Sequence, residues 1–106
     1  MTAFTLDALA DLIRSRAGES EGESYTSSLL KAGTPRCAKK FGEEAVELVI
    51  AAMEGDRKAV TTEAADVLYH LLVLLQSGGV SLQDVVQELG QRTARSGLAE
   101  KASRKA

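Results

Sequence analysis

Apolar positions along the chain recur at helical spacing in blocks separated by glycines and short polar runs. Leu6, Leu9, Leu12 and Ile13 follow Thr5 at intervals of three and four, so Thr5 is expected to cap a first helix that fades near Gly18, with Asp7 favourably placed in its first turn. The segment GESEGES (18–24) is polar and lacks periodicity; it reads as a surface loop that Tyr25 and Thr26 close. A short helical turn over Ser27 to Ala32, stopped by Gly33, then places Leu29 and Leu30 against a core. Thr34 followed by Pro35 marks a strong helix start, because proline at the first helical position loses no needed hydrogen bond and has its φ preset. This helix is expected to run to Glu54, with Gly55 as its left-handed stop and Asp56 capping the next one, from Arg57 to Ser77. So tight a turn makes the two helices antiparallel neighbours. After Gly78 and Gly79, Ser81 with Asp84 three residues on resembles a capping box for a last helix through Arg95, and residues 96–106 read as a basic frayed tail.

In the segment from 57 to 77, Val67, Leu68, Leu71, Leu72, Val73, Leu74 and Leu75 point in nearly every direction around the axis. A helix that is apolar all round must be covered all round, and a chain of 106 residues is short for that task. A homodimer or larger homo-oligomer is therefore expected.

Composition narrows the class. Ala and Leu contribute 16 and 14 residues, whereas Val, Ile, Phe and Tyr together contribute 14, which is a helix former's balance and excludes an all-β fold. The length accommodates one domain over 1–106, with its core over about 5–95, organised as an all-α bundle of four to five helices around the central hairpin. A single Cys excludes a disulfide framework and fits a reducing cytoplasmic setting; no segment has the apolar length of a membrane span or the form of a secretory leader. The net charge of −2 argues against nucleic acid as the partner. Its distribution is more informative than its sum: residues 36–58 hold five charges of each sign, interleaved with apolar positions, and residues 91–106 carry +4.

Four of the acids form a pattern. Glu44 and Glu47 lie three apart on one helix of the hairpin, and Glu63 and Asp66 lie three apart on the other. Side chains three apart are about 60° apart on a helix face, so each pair makes a two-toothed oxygen clamp. Both clamps share a face with apolar residues: Phe41, Leu48 and Ala51 on the first helix, and Ala59, Val67, His70 and Leu74 on the second. Carboxylates opposed at 4 Å repel by roughly 4 kcal/mol per pair at an effective dielectric of 20. A hard divalent cation, Mg²⁺ or Mn²⁺, relieves that repulsion and is commonly completed by substrate phosphates. Lys39 and Lys40, one turn earlier, can hold phosphate oxygens. A plainer reading also fits, since Lys39 and Lys40 stand four residues before Glu43 and Glu44, as in ordinary surface ion pairs. Gly42, inside a helix, suggests the close approach of a ligand or a neighbouring helix. His70 is expected to be a hydrogen-bonded core residue rather than a catalyst, and Cys37 a small, partly buried one. The chain carries no phosphate-binding glycine loop, nucleophile elbow or dinucleotide fingerprint.

The string KKFGEEAVE (39–47), followed by EAADVLYHLLVLL (63–75), resembles the phosphoribosyl-ATP pyrophosphatase family of histidine biosynthesis, within the wider MazG-like all-α nucleoside triphosphate pyrophosphatases. Ser24, Tyr25 and Thr26, with Leu29, Leu30 and Gly33, match that family's N-terminal signature, and the resemblance spans about residues 6–95. The stretch Thr34 to Cys37 departs from the aliphatic, lysine-containing sequence common there, and no cyclohydrolase domain precedes this one, which implies a stand-alone enzyme. The resemblance implies Mg²⁺-dependent hydrolysis of phosphoribosyl-ATP to phosphoribosyl-AMP and pyrophosphate. It gives Glu44, Glu47, Glu63 and Asp66 the metal-binding and catalytic roles, and makes Lys39, Lys40, Ser24, Tyr25 and Thr26 substrate-binding. The same clamps would serve a house-cleaning pyrophosphatase of free nucleoside triphosphates, and a non-catalytic dimerisation module is the remaining alternative.

Overall fold

The computed structural model describes residues 3–20 and 22–94, so the basic tail over 96–106 and Arg95 lie outside the described residues. The chain forms five helices in the order α1 (Leu6–Arg16), α2 (Tyr25–Ala32), α3 (Thr34–Glu54), α4 (Arg57–Ser77) and α5 (Leu82–Thr93), with no strand among the described residues. The all-α expectation therefore holds.

Local chemistry sets most of the boundaries. The side chains of Thr5, Asp56 and Ser81 each accept a hydrogen bond from the backbone N–H three residues on, satisfying an amide that a helix start leaves unpaired. Gly55 ends α3 at φ 71°, in the left-handed region open to glycine, and permits the two-residue join to α4. One boundary differs from the sequence reading. Tyr25 and Thr26 do not close the loop but open α2, because Ser24 caps the helix through Ser27 N–H while the Ser27 hydroxyl stands within bonding distance of Ser24 N–H. Thr34 also behaves unexpectedly. It caps nothing in its own helix; its hydroxyl instead lies 3.1 Å from the Ser77 hydroxyl, tying the start of α3 to the end of α4.

The antiparallel pair α3 and α4, 21 residues each, is the frame of the molecule. Helices α1 and α2 pack against one end of it, where Ile13, Leu29, Cys37, Leu72 and Val73 form the buried core with Leu9, Leu30, Tyr69 and Leu75 around it. Helix α5 leans on this end through Leu82 and a 2.8 Å hydrogen bond from Gln83 to Asp7, yet buries none of its residues fully.

The other end of the hairpin, toward Gly55, is left bare by the described residues. Val46, Val49, Ile50 and Met53 occur at the i, i+3, i+4, i+7 spacing of a single stripe along α3 and are 47–84% exposed. The sequence places the uncovered apolar surface on α4. Leu68 there is indeed exposed, but Leu72 and Val73 are buried by α1 and α2, and the longer uncovered stripe belongs to α3. No single helix among the described residues is long and apolar enough to cross a membrane.

Candidate metal centre and substrate edge

Glu44 lies on the side of α3 that turns toward α4, in line with Leu48 and the buried Ala51. Glu63 and Asp66 come from α4. The three carboxylates can each offer an oxygen such that all lie within 4.8 Å of one another, all at half-buried positions. Such an all-oxygen set, from two rigid helices, fits a small hard cation. Glu47 stands outside this trio, exposed at its rim, one helical turn nearer the hairpin turn than Glu44. Its charge still reaches Glu63. Desolvation first, and then the charges of Asp66, Glu44 and Glu47, hold the Glu63 carboxyl above the usual glutamate range. These acids are in mutual tension that a cation would relieve.

Lys40 borders the cluster, with its ammonium 3.5 Å from Glu43 and 4.0 Å from Glu44. The Tyr25 oxygen foremost, and then Glu43 and Glu44, hold Lys40 above the usual lysine range despite some desolvation. The ion-pair reading thus describes Lys40 in part. Lys39 is exposed and has no ion pair among the described residues. A Cβ on Gly42 would meet nothing within 4 Å, so no neighbouring helix among the described residues accounts for that glycine.

The signature at the start of α2 divides by role. Ser24 caps the helix and donates its hydroxyl hydrogen to Glu19 at 2.8 Å. Thr26 is buried, its hydroxyl hydrogen-bonded to that of Tyr69. Tyr25 is half exposed, and its hydroxyl lies 3.1 Å from His70 Nε2. His70 itself is buried and fully bonded, with Nδ1 2.8 Å from the Asp66 carbonyl oxygen. The expected core histidine is thus present, and it touches the backbone of a clamp residue. Tyr25, Tyr69 and His70 also meet as rings, with Tyr69 and His70 edge to face at 4.9 Å. Sequence periodicity has no means of finding these contacts, because they join residues 43 and 45 positions apart.

Comparison with known proteins decides the family. Residues 6–93 match the family described as phosphoribosyl-ATP pyrophosphohydrolase. The chain belongs to this family. It is 58% identical over 105 residues to the phosphoribosyl-ATP pyrophosphatases of Methylobacterium nodulans and Methylobacterium radiotolerans, and 57% identical to phosphoribosyl-ATP pyrophosphatase 1 of Rhodopseudomonas palustris. Each alignment covers 99% of this chain and 98% of the relative. The phosphoribosyl-ATP pyrophosphohydrolase match takes in both acidic pairs, the paired lysines and the start of α2. A cavity of about 240 Å³ lies elsewhere, between α1, the end of α4 and the start of α5, and none of the four acids lines it.

Proposed function

We infer that this chain hydrolyses phosphoribosyl-ATP to phosphoribosyl-AMP and pyrophosphate, a step of histidine biosynthesis. The observation that carries this reading is the family match over residues 6–93, which contains the carboxylate cluster gathered by α3 and α4. Incubating the protein with Mg²⁺ and phosphoribosyl-ATP beside a panel of nucleoside triphosphates, and measuring pyrophosphate from each, tests it. Release from phosphoribosyl-ATP at least tenfold faster than from any free triphosphate is expected; equal release from all of them would favour a house-cleaning pyrophosphatase.

Glu44, Glu63 and Asp66 would hold Mg²⁺, or Mn²⁺ in its place, with Glu47 as the fourth carboxylate at the edge. A bound divalent ion supplies charge neutralisation on the departing pyrophosphate and polarisation of the attacking water. The remaining work belongs to side chains. Lys40, close to Glu44 on the clamp side of α3, offers its ammonium to phosphate oxygens, and Lys39, exposed farther round the same helix turn, would reach them with its long side chain. A carboxylate oxygen of the cluster accepts the proton of the attacking water. Tyr25 borders the nucleotide, while Ser24 and Thr26 act on substrate indirectly, by fixing the helix start that carries Tyr25.

The reaction takes place in the cytosol on a small nucleotide, and the active form is a homodimer in which a second copy covers the α3 stripe. Support for the dimer comes from the helix itself: Val46, Val49, Ile50 and Met53 form a continuous apolar face that the described residues leave open. Light scattering at micromolar concentration checks this, with twice the monomer mass expected.

A further inference from the structure

His70 touches both the clamp and the substrate edge. Its Nδ1 lies 2.8 Å from the Asp66 carbonyl oxygen, and its Nε2 lies 3.1 Å from the Tyr25 hydroxyl. A carbonyl oxygen can only accept, so Nδ1 carries the hydrogen. In the neutral ring Nε2 is then an acceptor, and Tyr25 must donate to it. The donor capacity of the Tyr25 hydroxyl is thereby used up inside the protein. What remains on that oxygen is acceptor capacity alone.

Phosphate oxygens at neutral pH are acceptors and cannot bond to an oxygen whose one hydrogen is already engaged. Ribose hydroxyls and base amino groups can donate. Resting on the reading that Tyr25 borders the nucleotide, we propose that His70 is a positioning residue that withdraws the Tyr25 hydrogen, so that Tyr25 meets the substrate as a hydrogen-bond acceptor for a sugar hydroxyl or base amino group and leaves the phosphates to the lysines. The second latch supports this division: Tyr69 holds Thr26 as His70 holds Tyr25, so two adjacent side chains of α4 fix two adjacent residues of α2, one turn beyond Asp66. The ring of Tyr25, stacked on Tyr69 with centroids 6.2 Å apart, has little freedom to turn away.

His70 is the one histidine of the chain, so its ring nitrogens can be read by ¹⁵N NMR without assignment. The full-length wild type at pH 8 is expected to show the Nδ1–H tautomer, with an Nε2 shift that moves in Tyr25→Phe; an Nε2–H tautomer overturns the proposal whatever the enzyme acts on. In kinetics, Tyr25→Phe and His70→Asn, whose shorter amide keeps the bond to Asp66 and abandons Tyr25, should each raise KM for phosphoribosyl-ATP about tenfold while kcat falls less than threefold. The double variant should be no worse than the poorer single one. Inhibition by phosphoribosyl-AMP should weaken in parallel, and inhibition by pyrophosphate should not change. Use of the 2′-deoxy analogue of the substrate separates sugar from base: loss of the Tyr25→Phe effect there assigns the sugar hydroxyl, and its persistence assigns the amino group. Weakened pyrophosphate inhibition in Tyr25→Phe would overturn the proposal, as would additive effects in the double variant. If Tyr25→Ala raises KM but Tyr25→Phe does not, Tyr25 keeps its place beside the nucleotide and the proposal alone fails; if Tyr25→Ala leaves KM unchanged, both fail.

Discussion

The two faces of α3 reverse the usual arrangement of a surface helix. Toward α4 it presents Glu44 beside Leu48 and Ala51; on the opposite side, toward solvent, it presents Val46, Val49, Ile50 and Met53. Acid therefore lies inside and apolar surface outside. Each is unfavourable for the isolated chain, by desolvation and repulsion in one case and by exposed hydrocarbon in the other. Under the function proposed above, each would be resolved by a different addition: a divalent cation on the inner face and a second copy of the chain on the outer.

The largest test of this contrast acts on the inner face alone. Asp66→Asn or Glu44→Gln should lower Mg²⁺-dependent pyrophosphate release by about 100-fold or more, with the helical circular dichroism spectrum and the oligomeric mass retained. Turnover within tenfold of wild type would take the cluster out of the reaction. The complementary change, Ile50→Glu, puts a charge in the middle of the outer stripe and should halve the mass seen in light scattering, because an unpaired charge cannot be buried there without a loss of several kcal/mol. If the mass does not change, the stripe is not the contact.

A subtler pair of measurements concerns stability. The Glu63 carboxyl is raised above its ordinary value by desolvation and its acidic neighbours, so its contribution is fully present below the unfolded-state value and is lost as pH rises through the higher folded one. The metal-free protein should accordingly become less heat-stable as pH climbs above about 4.3, the ordinary glutamate value. Glu63→Gln should flatten that decline, melting above metal-free wild type at pH 7 while losing activity, and Mg²⁺ should raise the midpoint of the wild type only. Scanning calorimetry with and without a chelator reads both. The smallest effect belongs to Gly42→Ala. Nothing lies within 4 Å of the added methyl group, so removing the helix-interior glycine should stabilise by about 1 kcal/mol, or about 4 °C in midpoint.

Which parts were legible in the sequence follows from the range of the forces involved. Caps at Thr5, Asp56 and Ser81 and the stop at Gly55 depend on neighbours within three or four residues, and they lie where the pattern indicates. The start of α2 was obscured because its cap box uses Ser27 where a Glu or Gln is the familiar partner, and because it follows a polar run that looks unstructured. The acidic pairs could be read from spacing, but their unequal fates could not: whether Glu47 faces α4 or the rim depends on how far α3 is rotated against its neighbour. The same rotation hid the outer stripe, since a helix with apolar residues on two sides has no single face for periodicity to report. His70 reached its partners only through tertiary packing.

The join at Gly55 and Asp56 has a consequence for which mutations the molecule can survive. Glu44 lies 55 − 44 = 11 residues before Gly55 and Asp66 lies 66 − 55 = 11 after it; for Glu47 and Glu63 the separations are 55 − 47 = 8 and 63 − 55 = 8. The arms of the hairpin are thus of matched length, and residues at equal distance from the turn stand roughly level. Adding or deleting one residue between Glu47 and Glu63 would slide one acid pair by about 1.5 Å and swing it by about 100° relative to the other. No substitution at a clamp position is needed to dismantle the centre. The length of the arms is thus as much a requirement of the acidic cluster as the identity of its four acids.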